Sequence, residues 1–219
     1  TNLSATGYKV HGGAVILEPG LGEDDFRYLA SQGVWLVGEV GLGGVKTIEE
    51  AAPMVKMAKK YGMKVMMHTG GTSIPGSSPV NADMVIQIDP TVVSHVNGGT
   101  TAMSREEVVT LIEKTTLPLE IVQCGNPRIA DFVARTLKAR GELSRIILGN
   151  DSPSGSGIIP LGILRTINQL ASMSEILPAD AIAMATGNTA RVFELNIGII
   201  EAGKVADLVV MDAPIGSVG

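Results

Sequence analysis

The chain has 219 residues, 45% hydrophobic and 18% charged, enough for one packed domain and more apolar than most. A net charge of −5 without a Lys/Arg cluster argues against a nucleic-acid partner, and 3% aromatics leave no platform for stacking bases or sugars. One cysteine excludes an internal disulfide and is expected of a reducing, cytoplasmic setting; no basic segment followed by an apolar one, as in a signal peptide, is visible at the start, and no apolar run approaches the roughly 20 residues of a membrane span.

Taken in order, residues 8–17 read as a buried strand with a glycine-relaxed middle. Acids in Gly22-Glu-Asp-Asp25 suit the dipole of a short helix through about Gln32, and a strand follows at 34–39. Thr47-Ile-Glu-Glu50 is a capping box; its helix runs to Tyr61 and stops at Gly62. Strand 63–68 enters a long loop, 69–80, and Asn81 opens a short helix before strand 91–95. Ser104-Arg-Glu-Glu107 is a second capping box, for a helix to about Thr115. After strand 118–123, Asn126-Pro127 supplies an N-cap and a first-position proline for a helix closed by Gly141. Strand 145–149 gives way to a Ser/Gly loop and helices at about 158–173, 178–186 and 188–194. The tail changes character: Gly198 to Asp212 reads as two short strands around a glycine turn.

Strictly alternating strands and helices, with continuously apolar strands, specify a parallel sheet covered on both faces. Six strand-helix units can be counted. They fit either a doubly wound sheet or a (β/α)8 TIM-type barrel, here incomplete. The polar residues decide for the barrel, because nearly every strand carries one at its carboxyl end. Residues 1–195 are then a partial barrel, and 196–219 the start of a small β-sandwich. A barrel typically takes about 250 residues, so the chain is expected to be the C-terminal portion of a longer polypeptide. Its open sheet edges call for missing chain or a partner to cover them, and a homo-oligomer is the expected assembly.

The steps from Glu39 to His68, His95, Gln123 and Asp151 are 29, 27, 28 and 28 residues. Four potential metal ligands, Glu39, His68, His95 and Asp151, therefore share one phase of a supersecondary repeat. Alone, either histidine reads as a hydrogen-bonded core residue; together with two carboxylates at converging strand ends, they read as a site. Two imidazoles and carboxylates suit Zn²⁺ or another first-row divalent ion. Asp151 is the candidate general acid/base. Thr69, Ser73 and Gln123, at the same mouth, are candidate substrate contacts, and the loop 70–78 reads as a substrate cover. His11 sits mid-strand and reads as structural. Cys124 has no histidine partner in its motif and reads as no nucleophile.

Glu39 after one strand, His68 and His95 after the next two and Asp151 after the last resemble the amidohydrolase superfamily of metal-dependent hydrolases. Thr186–Phe193 and Gly198–Asp212 are similar to that superfamily's exit from its barrel into a small sandwich. The loops Gly38–Gly43, His68–Ser78, Ile121–Pro127 and Gly149–Gly155 narrow the resemblance to members that open cyclic amides. The resemblance implies two ions per site, zinc and/or iron. His68 and His95 would bind one, Glu39 would bridge both, and Asp151 would bind the other and move the proton. The implied substrate is a small-molecule cyclic amide. The leading reaction is hydrolysis of 6-oxo-1,4,5,6-tetrahydronicotinate to 2-formylglutarate and ammonia, a step of nicotinate degradation. The family's His-x-His motif is not in this sequence and is expected before Thr1. A dihydroorotase- or hydantoinase-like cyclic amidase and a non-catalytic subunit of the same family are the alternatives.

Overall fold

Capping chemistry sets the helix boundaries in the computed structural model, which describes residues 10–13, 16–72, 75–99, 101–153 and 157–211. The chain divides into two compact units, Thr1–Ser94 with Thr101–Leu117, and His95–Thr100 with Pro118–Gly219.

In the first unit, α1 (Glu23–Ser31) precedes β1 (Leu36–Val40), α2 (Ile48–Lys60), β2 (Lys64–Met67), α3 (Ala82–Ile88), β3 (Val92–Val93) and α4 (Arg105–Lys114). Thr47 and Glu50 close the capping box of α2 in both directions. Asn81 and Ser104 accept the N–H groups of Met84 and Glu107 at the starts of α3 and α4. Strands β1 and β2 run parallel, Leu36 beside Lys64 and Val37 beside Val65; β3 joins β2 with Met66 beside Val92.

The second unit holds β4 (Leu119–Val122), α5 (Pro127–Ala139), a 3-10 turn at Leu143–Arg145, β5 (Ile146–Gly149), α6 (Gly162–Met173), α7 (Pro178–Ala185) and α8 (Gly187–Phe193). Asn126 caps α5 at the N–H groups of Arg128 and Ile129. Strands β4 and β5 pair in parallel, Leu119 beside Ile146 through Val122 beside Gly149. Strand order follows chain order within each unit, β1-β2-β3 in the first and β4-β5 in the second.

Strands β3 and β5 are buried along nearly their whole length, as continuously apolar strands of a covered parallel sheet should be, while β1 and β2 alternate buried and part-exposed residues. Val37, Val65, Val92, Val93, Leu119, Ile121 and Ile146 are wholly buried, each side chain contributing about 1.5–3 kcal/mol. No helix among the described residues is long and apolar enough to cross a membrane.

Three expectations change. The described residues form five strands rather than six: 10–13 and 16–17 have no strand, and 10–13 are exposed, while 8–9 and 14–15 lie outside the described residues. Strand β3 keeps only two residues, because a turn begins at Ser94 and carries the next side chain away from the ladder. The two strands read in the tail are absent from 198–211, and Asp212 lies outside the described residues. Val209 and Val210 there are 83% and 99% exposed. A strand needs a partner for its main chain, and a lone hairpin is marginal in water.

Candidate metal centre

Glu39 stands where β1 is irregular. Between Val37 and Val40 the strand spends one residue more than β2 does between Val65 and Met67, a bulge of the kind that re-aims a side chain. The Glu39 side chain is 44% exposed. His68 follows the last residue of β2, and its main-chain N–H donates to Val40 O at 3.0 Å. The imidazole is 1% exposed. Its Nε2 lies 2.8 Å from Gly71 O; a carbonyl only accepts, so the Nε2 proton sits there. In the neutral ring Nδ1 then carries the lone pair, 3.9 Å from Glu39 Oε2.

The turn after His68 demands glycine. Gly70 has φ +92°, and a Cβ there would lie 1.8 Å from Thr101 O. Gly71 N–H donates to that same oxygen at 2.8 Å, which anchors the residue whose carbonyl holds His68. Thr69 is fully buried, its hydroxyl donating to Ser94 O at 2.8 Å, so it ties the end of β2 to the end of β3. A cavity of about 440 Å³ opens beside Glu39, lined also by Leu17, Leu42, Val45 and Lys46. That is within the range of small-molecule sites. Lys46 Nζ donates to Gly43 O and, at 2.8 Å, to Gly76 O, lashing two loops together.

His95 is 8% exposed and left-handed, φ +32°, a conformation uncommon outside glycine. Its N–H donates to Glu120 Oε2 at 3.1 Å. Val96 N–H donates to Glu120 O at 3.0 Å. Asn97 then bonds the main chain of β4 with its side-chain amide. Its amide oxygen accepts Val122 N–H at 2.8 Å, and its NH₂ donates to Val122 O at 3.0 Å.

Within the first unit Glu39 and His68 bring a carboxylate oxygen and an imidazole nitrogen to 3.9 Å of one another; His95, of the second unit, offers a further imidazole. An anionic oxygen and imidazole nitrogens are the donor set of zinc and its first-row neighbours. The carbonyl bond behind His68 is the support that metal-binding imidazoles use to fix their tautomer. On these two counts the residues fit a divalent ion.

Asp151 belongs to the second unit. It lies two residues beyond β5, exposed, at φ +51°. Cys124 Sγ donates to its Oδ2 at 3.3 Å. Burial first, and then the hydrogen bond and charge of Asp151, push this thiol up to about 11. Cys124 is thus a protonated donor at neutral pH. Gln123 N–H donates to Gly149 O at 3.1 Å. Its side chain passes over Gly162, where a Cβ would meet it at 3.2 Å. Ser73 lies outside the described residues. His11 is exposed rather than in a strand, its ring set edge-on to Trp35 at 5.9 Å. Sequence reading passed over Glu120 and Asn97. The signal for Glu120 was visible, a carboxylate inside the apolar strand Leu119-Glu-Ile-Val.

The amidohydrolase family model matches residues 44–217. The chain is 60% identical to the enamidase of Eubacterium barkeri over 217 residues, covering 99% of this chain and 56% of that protein. It is 29% identical over 176 residues to the imidazolonepropionase of Staphylococcus aureus strain JH9, covering 78% and 39% of the two. A crystal structure of enamidase, described as a new member of the amidohydrolase superfamily, superposes with TM-score 0.92 at 61% identity, over 97% of this chain and 55% of that one. The chain therefore spans about half the length of the enamidases it matches.

Proposed function

The chain belongs to the amidohydrolase family, and from that premise we propose that it supplies the site at which a cyclic amide C–N bond is hydrolysed, the substrate being a cyclic enamide. The observation that carries the reading is the pairing, at the ends of neighbouring strands, of the Glu39 carboxylate with Nδ1 of a His68 ring whose other nitrogen is held by Gly71 O. The 60% identity to enamidase narrows the substrate to an enamide. Glu39, His68 and His95 would hold a divalent ion, zinc or iron, and Asp151 a second. When bound, such an ion polarises the ring carbonyl as a Lewis acid and lowers the pKa of water beside it.

The chain's own residues do the rest. The Gly71 carbonyl holds the proton of His68 on Nε2, so the Nδ1 lone pair is kept on the side of Glu39. The cavity beside Glu39 receives the ring, and Gln123 is assigned to contact it. Cys124 donates to Oδ2 of Asp151. Oδ1 then takes a proton from the attacking water and returns it to the ring nitrogen as the C–N bond breaks. The released enamine takes up a second water and gives an aldehyde and ammonia.

That balance sets the test. The full-length protein, supplied with 6-oxo-1,4,5,6-tetrahydronicotinate, is expected to release one ammonia per ring opened. Opening dihydroorotate or a hydantoin takes one water and yields no ammonia. Turnover of those rings at equal or higher kcat/KM would overturn the enamide reading in favour of a dihydroorotase- or hydantoinase-like one.

A further inference from the structure

We propose that Glu120 is a positioning residue, a strut whose carboxylate fixes the His95 turn against the end of the strand that leads to Asp151. The consequence for metal binding rests on the ligand role given to His95 above; the strut itself does not.

A carboxylate inside a covered parallel strand is costly unless its oxygens are bonded, and Glu120 spends one of them on a single turn. Oε2 accepts His95 N–H at 3.1 Å, and the residue's own carbonyl accepts the next N–H, that of Val96, at 3.0 Å. Two successive amides of the turn thus end on one residue of β4. The turn needs such holding, because His95 sits at φ +32°, and side-chain-bearing residues persist there only where surrounding bonds over-determine them.

The other oxygen is accommodated by a deletion. A Cβ at Gly149 would lie 2.2 Å from Glu120 Oε1 and 2.9 Å from its Cδ. Gly149 is not among the glycines at positive φ, so its backbone does not call for glycine. Space does. The last residue of β5 gives up its side chain so that the carboxylate can lie across it, two residues before Asp151. Gly125 repeats the device for the neighbouring tie: a Cβ there would lie 2.3 Å from Asn97 Nδ2, again without a positive φ.

Two near-isosteres separate reach from charge. Glu120→Gln keeps the length and an accepting oxygen but loses the charge; Glu120→Asp keeps the charge and loses the reach. In the full-length protein, titrated with Co²⁺ and followed by its visible absorption, E120Q is expected to bind as the wild type does. E120D is expected to bind about 10- to 100-fold more weakly with an altered spectrum, the usual consequence of removing a support behind a ligand. G149A, which evicts the carboxylate from its notch, should fall with E120D. Any other order overturns the strut. Hydrogen exchange of the His95 amide supplies a second readout in metal-free protein: faster in E120D and G149A, unchanged in E120Q. Wild-type protein that takes up no Co²⁺ would sink the metal reading, while the exchange measurement would still decide the strut. Equal protection of the His95 amide in all three variants would overturn it.

Discussion

The strand ends that carry imidazoles and those that carry carboxylates are built differently. His68 and His95 are 1% and 8% exposed, each held in a turn whose bonds are accounted for by neighbouring backbone or a side-chain acceptor. Glu39 is 44% exposed on a bulge, and Asp151 is exposed at φ +51° with a thiol as its partner. A neutral ligand tolerates burial and profits from rigidity, because a fixed tautomer leaves one nitrogen for one purpose. A carboxylate that must trade protons with water and a substrate cannot be sealed in the same way. On the roles proposed above, the contrast separates holding from transfer, and it can be broken at several points.

The largest effect is expected from the holding side. His68→Ala and His95→Ala should lose metal and turnover together, with activity falling to background, because each removes one of the proposed ligands. Metal content of the purified protein, measured beside the rate of ring opening, checks this; a variant with full metal and full rate removes that histidine from the ligand set. On the transfer side, Asp151→Asn keeps an oxygen that can ligate but removes the proposed base. It should keep its metal and lose about 10²–10⁴-fold in turnover. Near-normal turnover in D151N would transfer the acid/base role to Glu39.

Much of this was legible in the sequence, for identifiable reasons. Caps are local, so Thr47, Asn81, Ser104 and Asn126 marked helix starts that the structure keeps. The matching phase of Glu39 and His68 is legible because neighbouring parallel strands bring equivalent positions to one end, here with side-chain atoms 3.9 Å apart. What could not be read was what depends on non-local space. The bulge that sets Glu39 appears only in the register of β1 against β2. The apolar run before His95 read as a five-residue strand, whereas the turn held by Glu120 and Asn97 truncates it to two. Glycine has the same letter at 149, where a carboxylate needs room, and at 62, where φ is +77° and nothing lies within 4 Å.

That last distinction gives a graded test on the holding side. Gly62→Ala meets only backbone strain and should cost about 1–2 kcal/mol. Gly70→Ala meets the same kind of strain, at φ +92°, and drives a Cβ to 1.8 Å from Thr101 O beside the peptide that fixes His68. Adding that clash should bring the loss to about 3 kcal/mol or more. Urea unfolding of the two variants compares them directly. Equal losses would show that the turn after His68 relaxes easily, and would remove the rigidity from the imidazole side.

The smallest effect belongs to the thiol at the open end. Cys124 is pushed from its ordinary 9.0 up to about 11, by burial first and by Asp151's hydrogen bond and charge after it. The folded chain therefore holds this proton more tightly than the unfolded chain. The stability this contributes is fully present below pH 9 and is lost as the pH rises from about 9 towards about 11. Alkylation by iodoacetamide follows the thiolate, so in the wild type its rate should reach half-maximum near pH 11. Asp151→Ala removes the bond and the charge but leaves the burial. Its midpoint should move down and stop short of 9.0, because the largest cause is untouched. A wild-type midpoint already at 9 would mean that Cys124 does not donate to Asp151, and Asp151 would then stand at its strand end with no support from the thiol.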